Sequence, residues 1–296
     1  MDVIVVFNGL GNQMSQYAFY LAKKERNKNC HLIFDPKSAN RHNGSELDKL
    51  FGVRYSHTLK FKIILLLYTL FTSSRIGKYL SPFLGIRFYY EPRNYDYSEH
   101  FLMPGKGLLN FYIGGWHSEK YFRNIRSTIL NKIIFDTTEE HDSCFLELVD
   151  FLKLNNNVIV SLHVRRGDYL LSKPNDFYQY GGIATLSYYN KAITFFNNKI
   201  KDAKYLVFSN DIEWCKEHFN KSNFIFVTCN SGSKSWRDLY LMSLCRYHIV
   251  ANSTFSWWGA WLSNYRETFT ICPERFLAST ETLDFYPETW LKIASN

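Results

Sequence analysis

The chain has 296 residues, 46% hydrophobic and 18% aromatic, enough to fill two cores of ordinary size. Its charge of 35 − 27 = +8 at pH 7 favours anionic partners, but the basic residues are spread along the chain rather than gathered in an arm, which argues against nucleic acid. The six cysteines, at 30, 144, 215, 229, 245 and 272, form no C-x-x-C pair and no zinc spacing, so a structural metal is not expected and a reducing cytoplasm is.

Val3–Phe7 reads as a short strand. Met1-Asp2 leads straight into it without a basic leader, which again points to the cytoplasm. The turn Asn8-Gly9-Leu10-Gly11-Asn12-Gln13 follows, then a helix over 12–27 with Met14, Tyr17, Ala18, Leu21 and Ala22 at helical spacing. A glycine turn before a helix can approach a ligand closely, so Gly9, Gly11, Asn12 and Gln13 are candidate site residues. The dinucleotide fingerprint needs a third glycine where Met14 stands, which rules out a nicotinamide or flavin site.

His31–Phe34 is the next predicted strand, and residues 37–57 are loop with a short helix. Residues 58–72 look helical around the apolar run Phe61–Phe71. That run is too short to span a bilayer, which takes about 20 residues. A core helix is the preferred reading. Rest on a membrane interface is the alternative, because Lys60, Lys62, Arg75 and Lys78 flank the run. Arg87–Tyr90 and Gly107–Ile113 read as strands. Ser118 then caps a helix carrying Phe122, Ile125, Ile129 and Ile133 on one face, and a further helix covers 138–153. The polar break Asn155-Asn156-Asn157 suggests two domains, 1–154 and 155–296.

The second half opens on an apolar strand, Val158–Leu162, that runs into His163, Arg165, Arg166, Gly167 and Asp168. Ligands of open α/β sheets bind beyond the carboxyl ends of strands. Two adjacent guanidiniums there suit a diphosphate, while a plain surface ion pair with Asp168 is the competing reading. Next come a helix from Ser187, a strand over 205–208, a helix over 212–219 and a strand over 224–228. A helix opened by Ser235 runs to about 248, followed by a strand over 249–251, a helix over 255–263 and a strand over 268–271. This alternation implies an α/β fold with a doubly wound parallel sheet. Asp211 suits either a purine edge or a helix cap, and Ser253 and Thr254 suit either a phosphate or a cap. The aromatics of 255–261 read as core. No Asp-x-Asp occurs, so fixed cations and helix N-termini must stabilise any departing diphosphate.

The stretches Gly9–Met14, His163–Tyr169 and Asn252–Ala260 resemble those of the bacterial α-1,2-fucosyltransferases of glycosyltransferase family 11. Gly115–Phe122 and Ser209–Cys215 add to the resemblance, which follows family order over nearly the whole chain. It implies a GT-B-like fold: two Rossmann-like, doubly wound domains facing a cleft, with the acceptor side first and the GDP-fucose-binding side second. It also implies metal-independent, inverting transfer of L-fucose from GDP-fucose to the 2-hydroxyl of a terminal galactose, without a cofactor. The acceptor would be a β-galactoside oligosaccharide or lipid-linked glycan, in cell-surface polysaccharide or O-antigen synthesis. Arg165, Asp168 and His163 fall on the family's catalytic and donor signature, with Arg165 expected on the diphosphate. Arg166, Asn210, Asp211, Ser253, Thr254 and Ser256 fall on its donor-binding motifs. Three departures stand out: Asn8 replaces the usual leading glycine, Ser15 a phenylalanine, and Asn210 the first acid of an Asp-Asp pair. Competing readings are fucosyl transfer of another linkage, such as α-1,6 or protein O-linked, and a sugar-binding lectin. Peripheral contact with the inner membrane face stays open.

Overall fold

A strand that is apolar on both faces needs cover on both, and a parallel sheet wrapped by helices supplies it. The computed structural model shows two such sheets. It describes residues 1–38, 40, 42–55, 58–73, 75–155, 157–171 and 180–295, without the side chains of Lys78, Asp168 and Leu171. Every strand pairing among the described residues is parallel. The chain divides into two compact units, Met1–Phe135 and Asp136–Asn296.

The first unit runs β1 (Asp2–Val6), α1 (Leu10–Arg26), β2 (Cys30–Phe34), α2 (Leu47–Phe51), α3 (Leu59–Ser73), α4 (Arg75–Leu80), β3 (Ile86–Tyr90), β4 (Leu109–Ile113) and α5 (Arg126–Leu130). Its sheet order is β2-β1-β4-β3. Val3, Val5 and Phe111 pack under Phe61, Ile64, Tyr68 and Phe71 of α3. Alternation turns Ile4 and Val6 to the other face, and α1 packs on β1 and β2. The long helix expected after Ser118 is broken: Glu119–Tyr121 and Arg123–Ile125 are 3-10 turns, and only α5 is α-helical. Ser118 still caps, accepting from the Lys120 N–H.

The second unit runs α6 (Ser143–Asn155), β5 (Ile159–Val164), α7 (Leu186–Lys199), β6 (Lys204–Ser209), α8 (Ile212–His218), β7 (Phe224–Phe226), α9 (Trp236–Ser243), β8 (Tyr247–Ile249), α10 (Thr254–Trp261), β9 (Phe269–Pro273) and β10 (Leu291–Ile293). Its sheet order is β10-β9-β8-β5-β6-β7. Counted from β5, that is the 3-2-1-4-5-6 order of a doubly wound fold. Val160, Leu162, Val164, Tyr205 and Val207 face Tyr188, Tyr189 and Phe196 of α7. Ile159, Leu206 and Phe208 face Phe145, Val149 and Leu152 of α6 with Leu241 and Met242 of α9. A Cβ on Gly259 would come within 2.7 Å of Met242, so α10 lies close on α9 because position 259 has no side chain.

The division falls at 135/136, whereas the polar break placed it at 154/155. The reason is α6, whose apolar face belongs to the second core. Arg237 adds a polar tie, pairing with Glu140 and, at 2.8 Å, with Asp142. The periodicity also misses α4 and β10, and it differs from the structure at two helix starts. Thr185, not Ser187, caps α7, and the Ser235 side chain makes no cap bond to α9.

The amino end of the first sheet is fastened by one buried carboxylate. Asp2 pairs with the Lys23 ammonium at 3.1 Å and accepts from Asn27 at 2.9 Å and Asn110 at 3.0 Å. Lys23 also donates to the carbonyls of Phe101 and Met103. Burial pulls the Lys23 pKa down, and Asp2 opposes that pull. Asp2→Ala leaves the ammonium buried without its counter-charge, so we expect a loss of about 3–5 kcal/mol in urea unfolding.

Candidate active site

The doubly wound order predicts where a ligand goes: outside the carboxyl ends of the strands, where the winding reverses. In the second unit that point lies between β5 and β8, with β6 on the other side of β5. The three strands end one after another in Arg165-Arg166, Asn210-Asp211 and Asn252-Ser253-Thr254. The sheet thus brings together three predicted motifs far apart in sequence.

Arg166 is held on three sides. Its backbone N–H donates to Asn210 Oδ1 at 3.0 Å, and its Nε donates to Asp211 Oδ2 at 3.2 Å. Its guanidinium lies 4.0 Å over the Trp214 ring. The pair with Asp211 is half-buried, 27% and 32% exposed, so solvent screens it only in part. Asp211 also caps α8, Oδ1 accepting from the Trp214 N–H at 3.4 Å. The ion-pair partner of Arg166 that the structure describes is therefore Asp211; the side chain of Asp168, the partner expected from sequence, lies outside the described residues. Gly167 makes the approach of Asn210 possible, since a Cβ there would meet Asn210 Nδ2 at 2.5 Å.

Arg165 sits with its guanidinium 5.6 Å from the Tyr169 ring centre. The Tyr169 hydroxyl donates to the Asn252 carbonyl at 3.2 Å, and the Asn252 amide donates to the Tyr180 carbonyl at 2.9 Å. This chain of bonds crosses the reversal point and ties the arginine loop to the segment before α10. Ser253 caps α10, accepting from the Phe255 N–H at 3.3 Å, and the buried Ser256 hydroxyl donates to the Ser253 carbonyl at 3.4 Å. Thr254 opens the helix, half-buried.

His163 lies inside rather than at the mouth. It is 5% exposed, with its ring 5.9 Å from that of Phe255. Burial, with Arg165 second, pushes its pKa down to about 3, so the ring has little affinity for a proton at neutral pH.

The glycine turn belongs to the first unit. Asn8 has φ 65°, a left-handed backbone that asparagine tolerates better than most residues, which is why it can stand where the family has glycine. Gln13 is fully buried. Its amide donates to the carbonyls of Asn8 at 2.7 Å and Gly44 at 2.8 Å, and its oxygen accepts from the Glu46 N–H at 2.9 Å. Gln13 therefore clamps the turn to the 44–47 loop. Gly9 precedes α1, where the Asn12 N–H donates to its carbonyl at 3.0 Å, and Gly11 is buried in the first turn.

Sequence reasoning did not single out Glu91 and His117, which stand at the carboxyl edge of the same unit. Glu91 accepts from the N–H groups of Gly115 at 2.7 Å and His117 at 3.2 Å, and burial raises its pKa to about 7. The His117 ring meets Ser15 Oγ at 3.1 Å. For Glu91 the sequence signal was a lone glutamate at a strand end, while His117 lay inside the quoted Gly115–Phe122 stretch without a role assigned to it. Tyr169 and Trp214, the ring partners of the two arginines, lay inside the quoted motifs but carried no polar signal.

Comparison with known proteins now adds to the geometry. Residues 56–294 match the model of the family described as glycosyl transferase family 11. The chain belongs to that family. This family 11 chain is 34% identical to the Escherichia coli alpha-1,2-colitosyltransferase over 99% of both chains. It is 32% identical to the galactoside alpha-(1,2)-fucosyltransferase 1 of Saimiri boliviensis boliviensis over 40% of this chain and 33% of that one. Its fold resembles that of an Arabidopsis thaliana FUT1 mutant solved with GDP, with a TM-score of 0.52 and 15% identity over 97% of this chain and 74% of that one. The family 11 chain is a glycosyltransferase related to the α-1,2-fucosyltransferases, and its two parallel-sheet units are those of the GT-B fold.

The buried rings set an acid limit. His117, His163 and His248 are each pushed from the ordinary 6.5 to about 3, chiefly by burial. Below pH 6.5 the unfolded chain takes up protons that the folded chain refuses, so this part of the stability is lost as pH falls toward 3. Glu91 and Asp238, raised by burial from 4.5 and 3.8 to about 7, work the other way between those values, two groups against three. We expect the melting temperature to fall on acidification below pH 6.5. Calorimetric scans at stepped pH check this; no fall would mean that the histidines are protonated when folded.

Proposed function

We propose that this family 11 enzyme transfers L-fucose from GDP-fucose to the 2-hydroxyl of a terminal galactose, with inversion and without a metal ion. The observation that carries the reading is the meeting of Arg165-Arg166, Asn210-Asp211 and the N-terminus of α10 at the reversal point of one parallel sheet. As the bond from sugar carbon to phosphate oxygen breaks, negative charge grows on the diphosphate. Arg165 and the α10 N-terminus, with Ser253, Thr254 and Ser256, oppose that charge. Arg166 is already held by Asp211, Asn210 and Trp214, so its placement costs little when the donor arrives. Asp211, beside it, accepts from guanine N–H groups. The acceptor is a β-galactoside oligosaccharide or lipid-linked glycan bound on the side of the first unit. A role in O-antigen synthesis accords with the 33% identity, over 45% of this chain and 44% of that one, to the Escherichia coli O-antigen biosynthesis glycosyltransferase WbnK.

A colitosyl donor is the second reading. The relative aligned over nearly the whole chain is a colitosyltransferase, whereas the match to the galactoside fucosyltransferase covers 40% of the chain. The test is incubation with GDP-fucose, and separately with the colitosyl nucleotide, against a panel of β-galactosides, reading the linkage by NMR. We expect 2-O-fucosyl galactose, formed equally well in EDTA. Transfer of colitose alone would move the assignment to the second reading. Loss of activity in EDTA with recovery on adding manganese would refute the metal-free mechanism.

Arg165→Lys separates charge from geometry. Lysine keeps the charge but offers no planar fork. Loss of one preorganised donor of this kind costs about 10²–10³ in kcat. We expect at least that loss, with the circular dichroism spectrum and melting temperature unchanged. Retention of more than about a tenth of wild-type kcat, far short of that donor penalty, would transfer the role to Arg166.

A further inference from the structure

Helix α3 is apolar on two sides, and only one of them is used. Phe61, Ile64, Tyr68 and Phe71 fill the first core. Leu59, Ile63, Leu66 and Leu70, at the same helical spacing on another stripe, are 49–74% exposed. The apolar surface continues along the chain. Helix α4 packs on α3 and on the turn Ser81–Leu84, where Ile76, Tyr79 and Phe83 are 74%, 82% and 83% exposed. Soluble monomers rarely leave contiguous apolar patches of more than roughly a few hundred Å² without a use for them.

The charge around this surface is one-sided. Residues 49–90 contain seven Lys or Arg (49, 54, 60, 62, 75, 78 and 87) and no Asp or Glu. The rest of the chain holds 35 − 7 = 28 cations against 27 anions, a balance of +1. Seven of the eight net charges therefore lie in the segment that carries the exposed apolar stripe, although the basic residues look dispersed when the chain is read end to end. A groove of about 780 Å³ along the edge strand β3 shares Ser81 and Pro82 with the turn and adds the exposed cations Arg87 and Lys106.

We propose that the α3–α4 face is a docking surface for a bilayer rich in anionic phospholipid. Apolar side chains of a surface helix enter the boundary between headgroups and acyl chains, while lysines and arginines reach the phosphates. At 15 residues, α3 is shorter than the span of about 20 that a bilayer requires, so it lies on the surface and does not cross. A second copy is the poorer occupant, because a self-interface would bring two such basic segments together against a remainder that is almost neutral. The proposal is independent of which sugar nucleotide the enzyme uses.

The test is co-sedimentation of the full chain with vesicles of phosphatidylcholine, with and without phosphatidylglycerol. Two double variants are compared, Leu66→Ser with Phe83→Ser and Lys60→Glu with Lys62→Glu. All four side chains are exposed and lie outside the donor motifs. We expect binding to the anionic vesicles only, weakened by salt, and lowered at least about tenfold in each variant. Transfer to a soluble acceptor stays at the wild-type rate. Absence of co-sedimentation, or equal binding to neutral vesicles, overturns the proposal. So does a dimer in light scattering that the Leu66→Ser, Phe83→Ser variant dissolves, since the face then joins two copies.

Discussion

The constraint on which the rest depends is that both sheets are parallel. A parallel sheet is buried on both faces, so its strands are mostly apolar and most of the polar chemistry is driven to the strand ends. The two ends then divide the work. At the amino end of β1, the Asp2–Lys23 pair and its amide partners fasten the sheet. At the carboxyl ends of β5, β6 and β8 lie the groups that can meet an anion. The first unit repeats the pattern, with Asn8, Glu91 and His117 at the carboxyl edge.

Two arginines side by side repel each other, and the second unit resolves this by giving them different surroundings. Arg166 has a carboxylate, an asparagine and an indole around it, so its charge is partly spent within the protein. Arg165 leans on Tyr169, and Tyr169 is bonded across to the segment before α10. One cation is held by a carboxylate, an amide and an indole, and the other lies against a tyrosine ring. Asp211 shows the same economy, since one carboxylate oxygen caps a helix while the other orients an arginine.

Much of this was legible in the residues. Apolar runs of five or six residues separated by helical spacing dictate a doubly wound parallel fold, and the three polar motifs stand at strand ends as that fold requires. What the sequence concealed has physical causes. The domain boundary was misplaced because α6 precedes a polar break but owes its packing to Ile159, Leu206 and Phe208 beyond it. The stop after Ser118 was missed because 3-10 turns satisfy the same apolar spacing over short distances. Gln13 was read as part of a ligand turn, and its bonds to the backbone of Asn8, Gly44 and Glu46, which hold that turn in place, were not legible in the residues. Glu91 was invisible because a carboxylate bound to backbone N–H groups leaves no pattern in the residue types around it.

The tryptophans have an optical consequence. Of the seven, Trp116 alone belongs to the first unit, stacked on Phe19 at 4.2 Å. The other six, at 214, 236, 257, 258, 261 and 290, belong to the second, and three of them share α10. Six of the seven indole emitters therefore report on the second unit. Within it, Trp214 lies 4.0 Å beneath the Arg166 guanidinium, where a change in the cation's partners alters the field across the indole. The chain thus carries its own spectroscopic probe on the residue next to Arg165.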